Sequence, residues 1–227
     1  MSAALAFTYV SYDSHDSLSF LLAWMSLVPQ TICIVYLTQA LSRREVETLM
    51  LGAGQVASEI ANLILKRIFL NERPKHGNLS GGVDSFGYGM PSAHAQYMAF
   101  YSTYIILWMF LRAHHFSKIK RFSRSIGLVL LSVSVCVSRV YLEYHTTWQV
   151  TVGVIVGIIL GTAWFSVIST LRELGVVEYF LQFSIFKMFC IKDTSLISNF
   201  VVDEHRIWSK QQQIYMPLRF IEPSQKS

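Results

Sequence analysis

Charge is what this sequence has least of. Only 15% of its 227 residues are Asp, Glu, Lys or Arg, against about 25% in a soluble domain. That poverty excludes a water-facing globule. Cysteine is also scarce. Cys33, Cys136 and Cys190 are the three, and none stands in a C-x-x-C pair or in a Cys/His cluster with zinc spacing. No disulfide framework and no zinc module can be built from them, and they read as small buried hydrophobes. No metal-ligand cluster and no Walker-type glycine loop occurs, so no cofactor is expected. Residues 1–16 contain no Lys or Arg. Without a basic n-region no cleavable signal peptide is read, and the first apolar run is expected to stay as an anchor. The net charge of +5 does not indicate nucleic acid, because the basic residues sit beside apolar runs, where membrane orientation and lipid headgroups account for them.

What fills the chain instead is long uncharged sequence. Ser17 to Ser42, Pro91 to Leu111 and Thr146 to Leu171 each lack any Asp, Glu, Lys or Arg, and each exceeds the roughly 18 apolar residues of a spanning helix. Ser125 to Ser138 is shorter, but Arg124 and Arg139 can snorkel outward from its ends. Hydrophobic residues make up 52% of the chain and the mean hydropathy is +0.40. The expected fold is all-α: one polytopic membrane bundle with helices near 17–41, 47–68, 92–112, 124–143 and 147–170. The second carries Glu59 and Asn62, and reads either as a span with a polar inner face or as a shorter interfacial helix. Residues 171–227 are expected to form a polar tail whose patch 179-YFLQFSIFKMF-189 can lie on the membrane surface. No repeat or low-complexity segment is present.

Basic residues orient such a bundle. The stretch 112-RAHHFSKIKRFSR-124 has five Lys or Arg and no acid, so it is placed in the cytoplasm, together with Arg43 and Arg44. Residues 1–16 then lie on the opposite side. Counting crossings brings 69–91 and 143–147 to that side as well.

Three polar stretches meet there. In 66-KRIFLNERP-74, Lys66 and Arg73 are seven apart, about two helical turns, and Pro74 ends the helix near Arg73. Two cations on one face make an anion site, or a pair of headgroup anchors. In 91-PSAH-94 the proline suits a first helical turn. The N–H groups of Ser92, Ala93 and His94 would be free helix-terminal donors suited to phosphate. His94 could protonate a departing oxygen. In 138-SRVYLEYHTTWQ-149, Arg139 closes the fourth helix and His145 follows in the turn. Gln149 lies one turn on, placed to hold the imidazole as a nucleophile. Each stretch alone also reads as capping or an aromatic interfacial belt. Together they supply phosphate ligands from three segments and two histidines, which describes a metal-free phosphohydrolase.

The set K-x6-R-P, P-S-x-H and S-R-x5-H resembles the three-part signature of the type 2 phosphatidic acid phosphatase superfamily. The stretches 87-GYGMPSAHAQYM-98, 138-SRVYLEYHTTWQV-150 and 192-KDTSLISN-199 place the likeness in its branch acting on polyisoprenoid (dolichyl) diphosphate in the endoplasmic reticulum membrane. The resemblance runs from about residue 16 to residue 200. It implies that Lys66, Arg73, Ser92, Ala93 and Arg139 hold the phosphate. His145 would attack to give a phosphohistidine, and His94 would protonate the leaving group. Two positions depart from the superfamily pattern. Ala93 stands where glycine is usual, tolerable if its φ stays negative. Gln149 replaces the usual aspartate; it can orient the imidazole, but it cannot stabilise a cation as a carboxylate does. Glu143 is a substitute acid only if the turn folds back. A sister lipid phosphatase and a non-catalytic lipid-diphosphate binder are the alternative readings. Asn78-Leu79-Ser80 is a sequon in the loop expected to be lumenal.

Overall fold

The computed structural model describes residues 2–5, 10–74, 87–113, 116–194 and 200–221. Asn78 and the end of the 192–199 segment lie outside them.

The first apolar run is not one helix. It forms α1 (Ser17–Met25) and α2 (Val28–Ser42), where the sequence reading expected a single helix over 17–41. Pro29 at the start of α2 is the reason. It has no N–H to give the carbonyl four residues back, and its ring crowds that carbonyl. Next come α3 (Val46–Phe69), α4 (Ala93–Leu111), α5 (Lys118–Tyr141) and α6 (Thr147–Glu173). The short helices α7 (Val176–Leu181) and α8 (Ser184–Met188) follow. Before α1 a small antiparallel hairpin pairs β1 (Ser2–Leu5) with β2 (Val10–Asp13), in the register Ser2↔Asp13 to Leu5↔Val10. The composition had not suggested it. One compact unit ends at Lys192; a second, from Asp193, holds α9 (Phe200–Ile221).

Among the described residues, four stretches are long and apolar enough to cross a membrane: Ser17–Ser42, α3, α5 and α6. The second helix is therefore long enough for a full span, its polar face turned inward through Gln55, Ser58 and Asn62. Helix α4 is less apolar for a physical reason. It packs against α6, α5 and α3, and so buries Gln96, Ser102 and Tyr104 against protein rather than lipid. Helix α5 begins six residues before the expected 124. Ser117 caps it by accepting from Lys120 N–H, which winds the basic run into the helix. Cys33 and Cys190 are not covered by protein, contrary to expectation, while Cys136 is half-buried.

The central contact is α4 on α6. Gly153, Gly157 and Gly161 repeat every fourth residue on one face of α6. A Cβ at Gly153 would lie 2.7 Å from the Ser92 carbonyl, and one at Gly161 2.9 Å from the Phe100 carbonyl. Small residues at this spacing let helix backbones touch. Leu51, Phe100, Tyr104 and Phe165 fill the interior below. At the far end Glu47 joins α3 to both neighbours, accepting from the Tyr104 hydroxyl at 2.7 Å and from Arg172 Nη2 at 2.7 Å. At the other end β2 packs on the turn after α5 through Val10, Leu22, Leu142 and Tyr144.

Candidate active site

The three polar stretches converge at the hairpin end of the bundle. Helix α3 stops at Phe69, not near Arg73, because Leu70 adopts a left-handed φ of 48°. Lys66 is thus in the last turn of α3, while Arg73 reaches inward from an extended segment rather than from the same helical face. Tertiary bonds hold that segment in place. Asn71 O accepts from Gly89 N–H at 2.7 Å, which ties the first stretch to the second.

The second stretch is set differently from the expectation at two atoms. Pro91 precedes the helix; Ser92 is the N-cap and Ala93 the first helical residue. The Ser92 N–H is not free, because it donates to Gln149 O at 3.1 Å. The N–H groups of Ala93, His94 and Ala95 belong to the first turn, which has no intrahelical acceptors. The Ser92 hydroxyl is fully buried and has no hydrogen-bond partner, a donor suited to an anion. Ala93 keeps a helical, negative φ, so the methyl group in place of glycine's hydrogen is accommodated.

The third stretch carries the most ordered contacts. Thr146 caps α6, with Gln149 completing a reciprocal capping box. Gln149 is 1% exposed. Its Oε1 accepts from Thr146 N–H at 3.2 Å and lies 3.2 Å from His145 Nδ1. Its Nε2 donates to Glu72 O at 2.8 Å and to Asn71 Oδ1 at 2.6 Å. A backbone N–H only donates and a carbonyl only accepts, so the amide cannot be reversed. Its oxygen therefore faces His145, and Nδ1 must carry the proton. The Nε2 lone pair is left free to attack. Glu143, the substitute acid, is exposed at a φ of 56°; the partner of His145 is Gln149.

Arg139 is buried, donates from Nη1 to Ser26 Oγ at 3.3 Å, and places its guanidinium carbon 4.1 Å from the Tyr144 ring centre. Its carbonyl accepts from His145 N–H at 3.1 Å. Burial first, then the charges of Arg139 and Arg73, push the His145 imidazole down to about 3. It is therefore neutral at physiological pH. The charges of Arg139, Lys66 and Arg73, and the ring of His145, all lie close enough to act on His94. Among the described residues no group of three or more His, Cys, Asp or Glu comes together.

Several supports were not read from the sequence. Asn62 donates to the Pro91 carbonyl at 3.4 Å and to Gln96 Oε1 at 2.8 Å, and Gln96 Nε2 donates to Ser58 O at 2.7 Å. This chain braces the second stretch from α3. Its one signal was an asparagine inside an apolar helix.

The sequence profile of the PAP2 superfamily matches residues 47–173, which span α3 to α6. Dolichyldiphosphatase of Saccharomyces cerevisiae is 38% identical over 200 residues, covering 87% of this chain and 84% of the yeast protein. Dolichyldiphosphatase 1 of Homo sapiens is 34% identical over 208 residues, covering 88% and 85%. The Mus musculus counterpart is 32% identical over 207 residues, with the same coverage of 88% and 85%. No solved structure matches the chain. The chain belongs to the PAP2 superfamily of helical membrane proteins and, within it, to the family of the dolichyldiphosphatases. It is a membrane-embedded hydrolase.

Proposed function

We propose that this protein hydrolyses dolichyl diphosphate to dolichyl phosphate and inorganic phosphate through a phosphohistidine on His145. The observation that carries the mechanism is the irreversible Gln149 amide, which holds the proton on Nδ1 and leaves Nε2 as the attacking atom. Lys66, Arg73, Arg139, the Ser92 hydroxyl and the first-turn N–H of Ala93 hold the terminal phosphate and stabilise the charge that spreads over its oxygens in the transition state. Nε2 bonds to the terminal phosphorus as the bond to the bridging oxygen breaks. His94 gives its proton to that oxygen, and dolichyl phosphate leaves. Water then attacks the phosphohistidine while His94 takes up a proton, and phosphate departs as the N–P bond breaks. No metal enters these steps.

The site faces the lumen of the endoplasmic reticulum, with the basic segment around 112–124 and the residues after α6 in the cytoplasm. The reaction returns the lipid carrier to protein N-glycosylation.

The test is phosphate release from dolichyl diphosphate by the purified chain in detergent with EDTA, beside His145→Ala, with phosphatidate and farnesyl diphosphate as competitors. Release that resists EDTA, vanishes in the variant and favours dolichyl diphosphate is expected. Preference for another lipid would assign the chain to a sister phosphatase. No release by folded protein would leave a lipid-diphosphate binder. Acid-labile, alkali-stable phosphate trapped on the chain, absent in His145→Ala, checks the intermediate.

A further inference from the structure

The break in the first span gives the site a wall that belongs to none of the three stretches. Ser26 lies in the break and Gln30 one turn on, in α2, and both reach site residues. Ser26 Oγ holds Arg139. The Gln30 amide lies 3.4 Å from His94 Nε2. Its other end lies 3.2 Å from the carbonyls of both Ser26 and Leu27. Those carbonyls only accept, so the NH2 belongs with them and Oε1 is the atom facing His94. The reverse placement would set an amide oxygen against two carbonyl oxygens. With Oε1 on that side, the His94 Nε2 must donate. The nitrogen left to exchange a proton with the substrate is Nδ1.

From this we propose that Gln30 is a positioning residue for His94. It fixes a proton on Nε2, holds the ring plane, and offers an acceptor to the ring once the bound anionic diphosphate, offsetting Lys66, Arg73 and Arg139, lets Nδ1 take from water the proton that it then passes to the leaving oxygen. The role rests on the reading of His94 as the proton donor. It also gives the break itself a purpose: the two carbonyls that orient the Gln30 amide are those of the break residues Ser26 and Leu27. The 3.4 Å separation is long, as such contacts are before substrate closes the site.

The test compares kcat and KM on dolichyl diphosphate for the full chain, Gln30→Leu, Gln30→Glu, His94→Ala and the double variant His94→Ala/Gln30→Leu. Gln30→Leu is expected to lower kcat about tenfold and to keep KM within about twofold, a part of what general acid catalysis supplies. In the His94→Ala background the same change should cost nothing more, because its partner is gone. Gln30→Glu keeps an acceptor oxygen for His94 provided that its other oxygen carries a proton donated to the Ser26 or Leu27 carbonyl, and in that form should recover most of the rate; it also carries the test if Gln30→Leu unfolds, which a thermal unfolding midpoint reports. Equal losses in both backgrounds would overturn the positioning role. So would a raised KM at unchanged kcat, or a Gln30→Glu variant as slow as Gln30→Leu. His94→Ala with full activity would instead overturn the reading of His94 itself, and the positioning role with it.

Discussion

A buried imidazole that must stay neutral leaves a trace in stability. His145 titrates near 6.5 when unfolded and at about 3 in place, because burial and then Arg139 disfavour its cation. Between those values the unfolded chain binds a proton that the folded chain refuses. Stability therefore rises with pH across that window, and it is lost as pH falls from about 6.5 towards 3. His145→Asn removes this dependence. Thermal unfolding midpoints at pH 7 and pH 5 should fall further apart in the parent than in the variant. The Gln149 amide makes a second prediction. Gln149→Glu keeps an acceptor for Nδ1 and for Thr146 N–H, but it turns a carboxylate oxygen onto the Glu72 carbonyl and Asn71 Oδ1. Position 149 is buried, and leaving its contacts unmatched costs roughly 1–3 kcal/mol, so the unfolding midpoint should drop although the substituted residue resembles the superfamily's usual acid.

Between helices, the contact that matters is α4 on α6. Gly153→Ala puts a methyl 2.7 Å from the Ser92 carbonyl. Backbone cannot yield as a side chain can, so the helices must part, at a cost of about 1–3 kcal/mol. Because Ser92 is the N-cap of the helix that carries the proposed phosphate donors, turnover should fall along with the melting midpoint; both are read on one purified sample. The spans were legible in sequence because uncharged runs mark them and the basic loop orders them. The site stretches were legible because lysine, arginine and histidine are conspicuous at a membrane edge. Other features were not. The end of α3 is decided by Asn71, whose carbonyl and side chain are taken by Gly89 and Gln149, residues far along the chain. Local propensity carries no such information. The break at Ser26 and Leu27 had a signal in Pro29, but hydropathy alone runs straight through it. Gln30 meets His94 across 64 positions, and nothing local marks that pairing.

Across the whole molecule the two ends are built for different tasks. The end away from the site is clamped by Glu47, Arg172 and Tyr104, with the Arg172 side chain only 5% exposed. Glu47→Ala would take a carboxylate away from that guanidinium, and breaking a buried pair from one side costs roughly 3–5 kcal/mol. The midpoint should fall steeply in Glu47→Ala, while KM for the lipid stays unchanged, since no phosphate ligand lies there. The clamp, the glycine-spaced contact of α4 and α6 and the aromatic interior also bear on where the lipid can go. Every group proposed to bind phosphate gathers at one face, and the bundle below it is packed. A lipid cut there keeps its headgroup in the leaflet from which it came. On the proposed reaction, hydrolysis therefore changes the headgroup without moving it, and return of the product to the opposite leaflet is a separate event.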